Sequence, residues 1–175
     1  YGNPVAQETR KLVNLIKSHV VTIKDDGSIW LNQSMFSYAT GLRMVPDSKW
    51  EKLFGFPRRS PEGELQQHHC NLALAIQQVT EEIVLKLARA AKRLTGADKI
   101  CLAGGVALNC VANGKLLQEN LFKDIYIQPA AGDAGGALGA ALAVSHIYFG
   151  EERVQPGFYD IMNGSYLGPS YSDKE

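Results

Sequence analysis

No apolar run in the sequence approaches the roughly 18 to 20 residues that a bilayer-spanning helix needs, which excludes a helical membrane protein. Nor is there an excess of either charge. The chain carries 18 Lys and Arg against 18 Asp and Glu, a formal net charge of zero at pH 7, and this disfavours a basic nucleic-acid binder or an acidic tail protein. Cysteine is scarce: Cys70, Cys101 and Cys110 are odd in number and show no CxxC spacing, so neither a disulfide framework nor a zinc site is indicated. They read as small core residues of a protein from a reducing compartment, and the expected location is the cytoplasm. A basic-then-apolar signal segment and an initiator Met are also missing. Tyr1-Gly2-Asn3-Pro4 leads at once into a helical pattern, as expected of a chain whose beginning lies elsewhere. There is no internal repeat and no low-complexity segment.

What is present is ordinary globular composition, 45% hydrophobic and 21% charged, enough for a core and, by default, one compact domain. Leu12, Leu15, Ile16 and His19 make one face of an amphipathic helix behind Pro4. Residues 20–24 and 28–32 are β-prone and flank Asp25-Asp26-Gly27, which predicts a β-hairpin. The prolines and glycines between Phe36 and Gly63 predict a surface loop with short helical turns. A stripe of Leu72, Ile76, Val79, Ile83, Leu87, Ala90 and Leu94 predicts a long helix from Glu64, capped by Gly96. There follow a short apolar strand at 100–103, a helix-compatible run from Val106 to Asn120, a strand at 125–127 and a helix from Ala134 to Phe149. This β-α-β-α order makes the chain α/β, with two parallel strands. The segment 151–175 reads as a linker or tail after a domain over 1–150.

The 17 glycines cluster toward the C-terminal half, and two groups of them stand at the two strand ends of that unit. In the first, a buried strand ends at Gly104-Gly105, where backbone N–H groups can approach a ligand, and Asn109 offers an amide suited to ribose or a base. A tight turn that needs glycine for shape alone explains the same residues about equally well. In the second, Asp133 stands at the start of a helix in which Gly132, Gly136 and Ala140, and Gly135, Gly139 and Ala143, form stripes of small residues. Asp133 is either a helix cap or a ligand for a metal or metal–phosphate group, and a metal needs at least two more ligands. Neither cluster is a GxxxxGK[ST] or GxGxxG signature. His68 and His69 are sequence neighbours that point about 100° apart on a helix, unlike a zinc pair. Arg58-Arg59 could clamp a phosphate but more commonly would be solvated, and Glu81-Glu82 read as a solvent face. No Ser-His-Asp or Cys-His arrangement can be assembled from order and spacing. The residues alone therefore support a nucleotide or anion site on an α/β scaffold.

The segments Leu102-Ala103-Gly104-Gly105-Val106-Ala107-Leu108-Asn109-Cys110-Val111-Ala112-Asn113-Gly114 and Gln128-Pro129-Ala130-Ala131-Gly132-Asp133-Ala134-Gly135-Gly136-Ala137-Leu138-Gly139 resemble the O-carbamoyltransferase family of nodulation and antibiotic biosynthesis. Gln78-Val79-Thr80-Glu81-Glu82, Asp26-Gly27-Ser28 and Tyr166-Leu167-Gly168-Pro169 extend the likeness over most of the chain. The resemblance implies part of a Kae1-like domain of the ASKHA superfamily, with RNase H-like sheets, whose N-terminal lobe and following YrdC-like domain lie outside this chain. It implies ATP and carbamoyl phosphate as sources of carbamoyl adenylate and a hydroxylated small molecule as acceptor, with no nucleic acid and no membrane partner; a homo-oligomer stays open. It also implies nucleotide contacts at Gly104, Gly105, Asn109, Gly135 and Gly136, and an Fe(II)-type metal on Asp133 with its other ligands elsewhere. The isolated chain is then expected to have an incomplete, inactive centre. A threonylcarbamoyl transferase acting on tRNA and a non-catalytic nucleotide-binding module are the alternatives; the neutral charge disfavours the first.

Overall fold

The computed structural model describes residues 2–153, 157, 162–166 and 168–172. The elements are α1 (Gln7–Leu15), β1 (Val21–Ile23), β2 (Ile29–Leu31), α2 (Asp47–Phe54), α3 (Gln67–Thr95), β3 (Lys99–Leu102), α4 (Cys110–Gln118), β4 (Asp124–Ile127) and α5 (Ala134–Ala143). The chain divides into two compact units where the composition suggested one. The first holds residues 1–99 and 110–124; the second holds 100–109 and 125–175.

In the first unit the 29-residue α3 is the spine. Its core is formed by Leu12 and Ile16 from α1 and the π-turn after it, Val20 and Val21 leading into β1, and Ala75 and Val79 from α3. The predicted hairpin is present, with Val21 opposite Leu31 and Ile23 opposite Ile29. Gly27 has φ 84°, and a Cβ built on it would lie 2.6 Å from the Leu87 amide nitrogen, so the turn sits directly on the α3 backbone. Gly96, at φ 64°, ends α3 as expected, its N–H bonded to Lys92 O. The breaker-rich stretch contains a full eight-residue helix, α2, stopped by Gly55 in the left-handed conformation. Trp50 and Phe54 reach the core from it.

The α3 stripe differs from the periodicity reading. The residues buried on α3 are Asn71, Ala75, Val79, Glu81, Ala88 and Ala90, whereas Ile76, Leu87 and Leu94 are exposed. Small alanines line the closest approach because a large side chain there would hold neighbouring elements off. Glu81, expected in solvent, is buried: its side chain retains 7% of its exposure and meets Lys115 of α4 and Gln77. Glu82 bonds Lys17 at 2.8 Å, and Arg89 bonds Glu119, the residue after α4, at 2.7 Å. These pairs tie the turn after α1, and α4 with the residue that follows it, to α3, and loss of Lys115 would leave the buried Glu81 carboxylate without its cation.

His68 and His69 also depart from expectation, because their Nε2 atoms meet at 3.0 Å. The Gln66 N–H donates to His69 Nδ1 at 3.1 Å as part of a capping box, so neutral His69 carries its proton on Nε2 and donates it to His68. Desolvation first, then His68 and Arg59, hold the His69 imidazole below its ordinary value of 6.5.

In the second unit β3 and β4 form a two-stranded sheet. Lys123 N–H bonds Asp98 O ahead of the strands and Gln128 N–H bonds Leu102 O at their ends, so the strands run in the same direction. That bears out the parallel reading. The strand is only half buried, however, and Cys101 and Cys110 are exposed while Cys70 is intermediate, so the cysteines are not core residues. Two strands that pair only with each other leave alternate side chains uncovered.

Two outcomes follow for stability. Gly55→Ala, in open space at φ 83°, costs about 1–2 kcal/mol from the left-handed backbone alone, whereas Gly27→Ala adds about 1–3 kcal/mol of overpacking against α3, as urea denaturation would measure. Because folded His69 protonates at lower pH than in the unfolded chain, its contribution is full above pH 6.5 and declines as pH falls below that value. His69→Gln keeps a cap acceptor and flattens this decline, read from urea midpoints between about pH 7.5 and about pH 5.

Candidate functional site

The two glycine corners meet. At the end of β3 the Gly104 N–H donates to the Ala131 carbonyl at 2.8 Å, two residues before Asp133. Ala131 and Ala107 are buried beneath the corners, while Gly104, Gly105 and Asp133 are exposed above them. Both loops therefore open at the same end of the parallel strands, where open α/β sheets place ligands.

Each corner has a local cause. Gly104 has φ 94° and ψ 158°, a region essentially closed to residues with a Cβ, and a Cβ there would touch nothing. Its glycine is required by conformation and not by close approach. The run expected as one helix from Val106 is instead a 3-10 turn, Gly105–Leu108, followed by extended Asn109 and then α4. The helix after the first corner thus starts at Cys110. Gly105 and Val106 lead the short turn, and the first N–H groups of such a turn have no acceptor within it. Asn109, half-buried, donates its N–H to Val106 O at 3.0 Å and occupies the position before α4.

At the second corner Gln128 Oε1 accepts the Ala130 N–H at 3.2 Å, a shaping contact that the motif reading missed because a glutamine before a proline carries no period or signature. Gly135 N–H bonds Gly132 O and Gly136 N–H bonds Asp133 O, both at 3.0 Å. The Gly135 and Gly136 amides are thus already engaged in the turn. A Cβ on Gly135 would collide with the Ala130 carbonyl oxygen, whereas Gly132, Gly136 and Gly139 have nothing within 4 Å. Asp133 sits at the N-cap of α5 and makes no side-chain cap hydrogen bond, so capping does not account for its carboxylate. Among the described residues no group of three His, Cys, Asp or Glu is placed to hold a metal ion. Asp133 by itself is not a metal centre.

The fold and these corners define an α/β protein that presents two exposed strand-end loops, tied by a backbone bond, around one acidic side chain. The family model described as carbamoyltransferase N-terminus matches residues 1–142, and the chain belongs to that carbamoyltransferase family. An uncharacterized protein of Synechocystis is 51% identical over the whole of this chain, which covers 27% of that relative. The nodulation protein NolO of Bradyrhizobium diazoefficiens is 43% identical over 62% of this chain and 19% of its own length. NolNO of Sinorhizobium fredii is 50% identical over 46% of this chain and 12% of its own length. The chain therefore spans about a quarter or less of these relatives. Among the described residues no helix is long and apolar enough to cross a membrane.

The geometry separates the glycines by substitution. Gly104→Ala is expected to cost about 1–3 kcal/mol through backbone strain, and Gly135→Ala to be destabilising through its clash. Gly105→Ala and Gly136→Ala, at ordinary φ and in open space, are neutral or stabilise by up to about 1 kcal/mol, as denaturant midpoints would show.

Proposed function

We propose that this chain is the nucleotide-holding part of an O-carbamoyltransferase, which makes carbamoyl adenylate from ATP and carbamoyl phosphate and passes the carbamoyl group to a hydroxyl of a small-molecule acceptor. Membership of the family supports the reaction class. The observation that carries the assignment of residues is the Gly104–Ala131 bond, which holds the two exposed loops side by side.

In this reading the N–H groups of Gly105 and Val106 face the adenylate phosphate, and Asn109 orients the nucleoside with its amide. Gly135 and Gly136 shape the second wall and leave it without side chains. When the acceptor hydroxyl oxygen bonds to the carbamoyl carbon and gives up its proton to solvent, the bond from that carbon to the phosphate oxygen breaks and AMP leaves. The charge gathering on that phosphate is met by backbone donors that need no reorganisation. Asp133 supplies one carboxylate toward an Fe(II)-type ion, which when bound would neutralise phosphate charge. Its other ligands and the adenylate-forming step are assigned to parts of the longer family proteins outside this chain, so the isolated chain is inactive.

In the full-length protein Asp133→Asn is expected to leave the denaturation midpoint within about 0.5 kcal/mol, since the carboxylate makes no cap bond. It should lower carbamoyl transfer roughly 100-fold or more, measured with carbamoyl phosphate and ATP. Unchanged turnover would remove Asp133 from the site.

A further inference from the structure

The first unit contains a concavity to which neither strand-end corner contributes a residue. It is a cavity of about 550 Å³, within the range of small-molecule sites. Its apolar floor includes Trp50, Phe54, Phe56 and Leu72. The rings are arranged as a ladder: Trp50 and Phe54 centroids lie 5.4 Å apart, and Phe54 and Phe56 6.3 Å apart and stacked. Trp50 Nε1 is spent on Met35 O at 2.7 Å, so the indole offers the cavity an apolar surface. Leu42 and Met44, both strongly exposed, form an apolar lip.

The polar part of the lining is weighted toward cations. Arg43, Arg58 and Arg59 stand against Asp47 and Glu51. Asp47 is engaged by two of the three, Arg43 at 2.7 Å and Arg58 at 3.6 Å. The Arg59 Nη1 donates to Gly63 O, which engages one of the five donors of a guanidinium that lines the cavity. The Arg43 and Arg58 side chains stay 70% and 66% exposed, so their charges stand at the rim above the apolar floor. A flat apolar body carrying one anionic group satisfies both parts at once.

We propose that this cavity is a binding site for small amphipathic anions, with a planar or aliphatic body on Trp50, Phe54 and Phe56 and a carboxylate, sulfonate or phosphate at Arg58 and Arg59. The proposal stands apart from the nucleotide reading and does not depend on it.

The test uses 8-anilinonaphthalene-1-sulfonate and its neutral counterpart, N-phenyl-1-naphthylamine, added to the full chain with ¹⁵N-labelled tryptophan. The two tryptophans, Trp30 and Trp50, give separate indole signals that Trp30→Phe assigns. The expected result is a saturable shift of the Trp50 signal with the sulfonate while Trp30 stays in place. Arg58→Gln with Arg59→Gln should weaken sulfonate binding roughly ten-fold or more and leave the neutral probe unchanged. Arg58→Lys with Arg59→Lys should restore part of the loss. Equal shifts at both tryptophans, no shift at Trp50, or sulfonate affinity unaffected by the glutamine pair would each overturn the proposal.

Discussion

A single backbone hydrogen bond, from the Gly104 N–H to the Ala131 carbonyl, converts two separate loops into one end of the molecule. The unusual dihedrals of Gly104 set the direction in which the Gly105–Leu108 turn leaves that bond, because rotation about φ moves the chain that follows the N–H and not the N–H itself. The constraint spreads outward. Ala131 is held beneath the surface, the Gln128 side chain ties down Ala130, and Gly135 must lack a side chain where it passes the Ala130 carbonyl. Asp133 then emerges at the surface with its carboxylate uncommitted to capping. Glycine makes this backbone accessible without a steric penalty, and a polar edge is assembled without side chains in its way.

The other unit is organised by charge and small residues as much as by apolar bulk. The face of α3 that is buried carries alanines where backbones come close, and it also carries Glu81, whose burial is sustained by Lys115 and Gln77. Taking a carboxylate out of water is tolerable only with such partners in place. The Glu81–Lys115 pair consequently specifies how α4 is seated on α3, which hydrophobic contact alone does not.

Local signals were legible in the sequence where one residue type has one physical use. Gly27 and Gly96 were readable as positive-φ positions, the hairpin as a turn between β-prone runs, and the long helix as a sustained period. The β-α-β-α order gave parallel strands and, through them, the shared end of the two corners. Long-range pairings were not legible. Nothing in the spacing distinguishes a glutamate bound to Lys115 from one in solvent, or two adjacent histidines pointing apart from two whose rings touch. Periodicity likewise overstated the apolar stripe, because Ala75 and Ala88 are more buried than Ile76 and Leu87, and a hydrophobicity pattern weights them the other way. The break at Asn109 between the 3-10 turn and α4 was also hidden, since every residue around it is compatible with a continuous helix.

One consequence concerns the ten-residue α5 and the five-residue π-turn that continues it. None of their residues is buried, although Leu142, Val144, Ile147 and Tyr148 are apolar, and Gly135, Gly136 and Gly139 fall within the helix. A helix this short with three glycines gains too little from its own backbone bonds to offset the cost of nucleation. Its amide protons therefore belong to the fast-exchanging end of the protection ladder, and the order of the wall that carries Asp133 is set by a local opening equilibrium instead of by global unfolding.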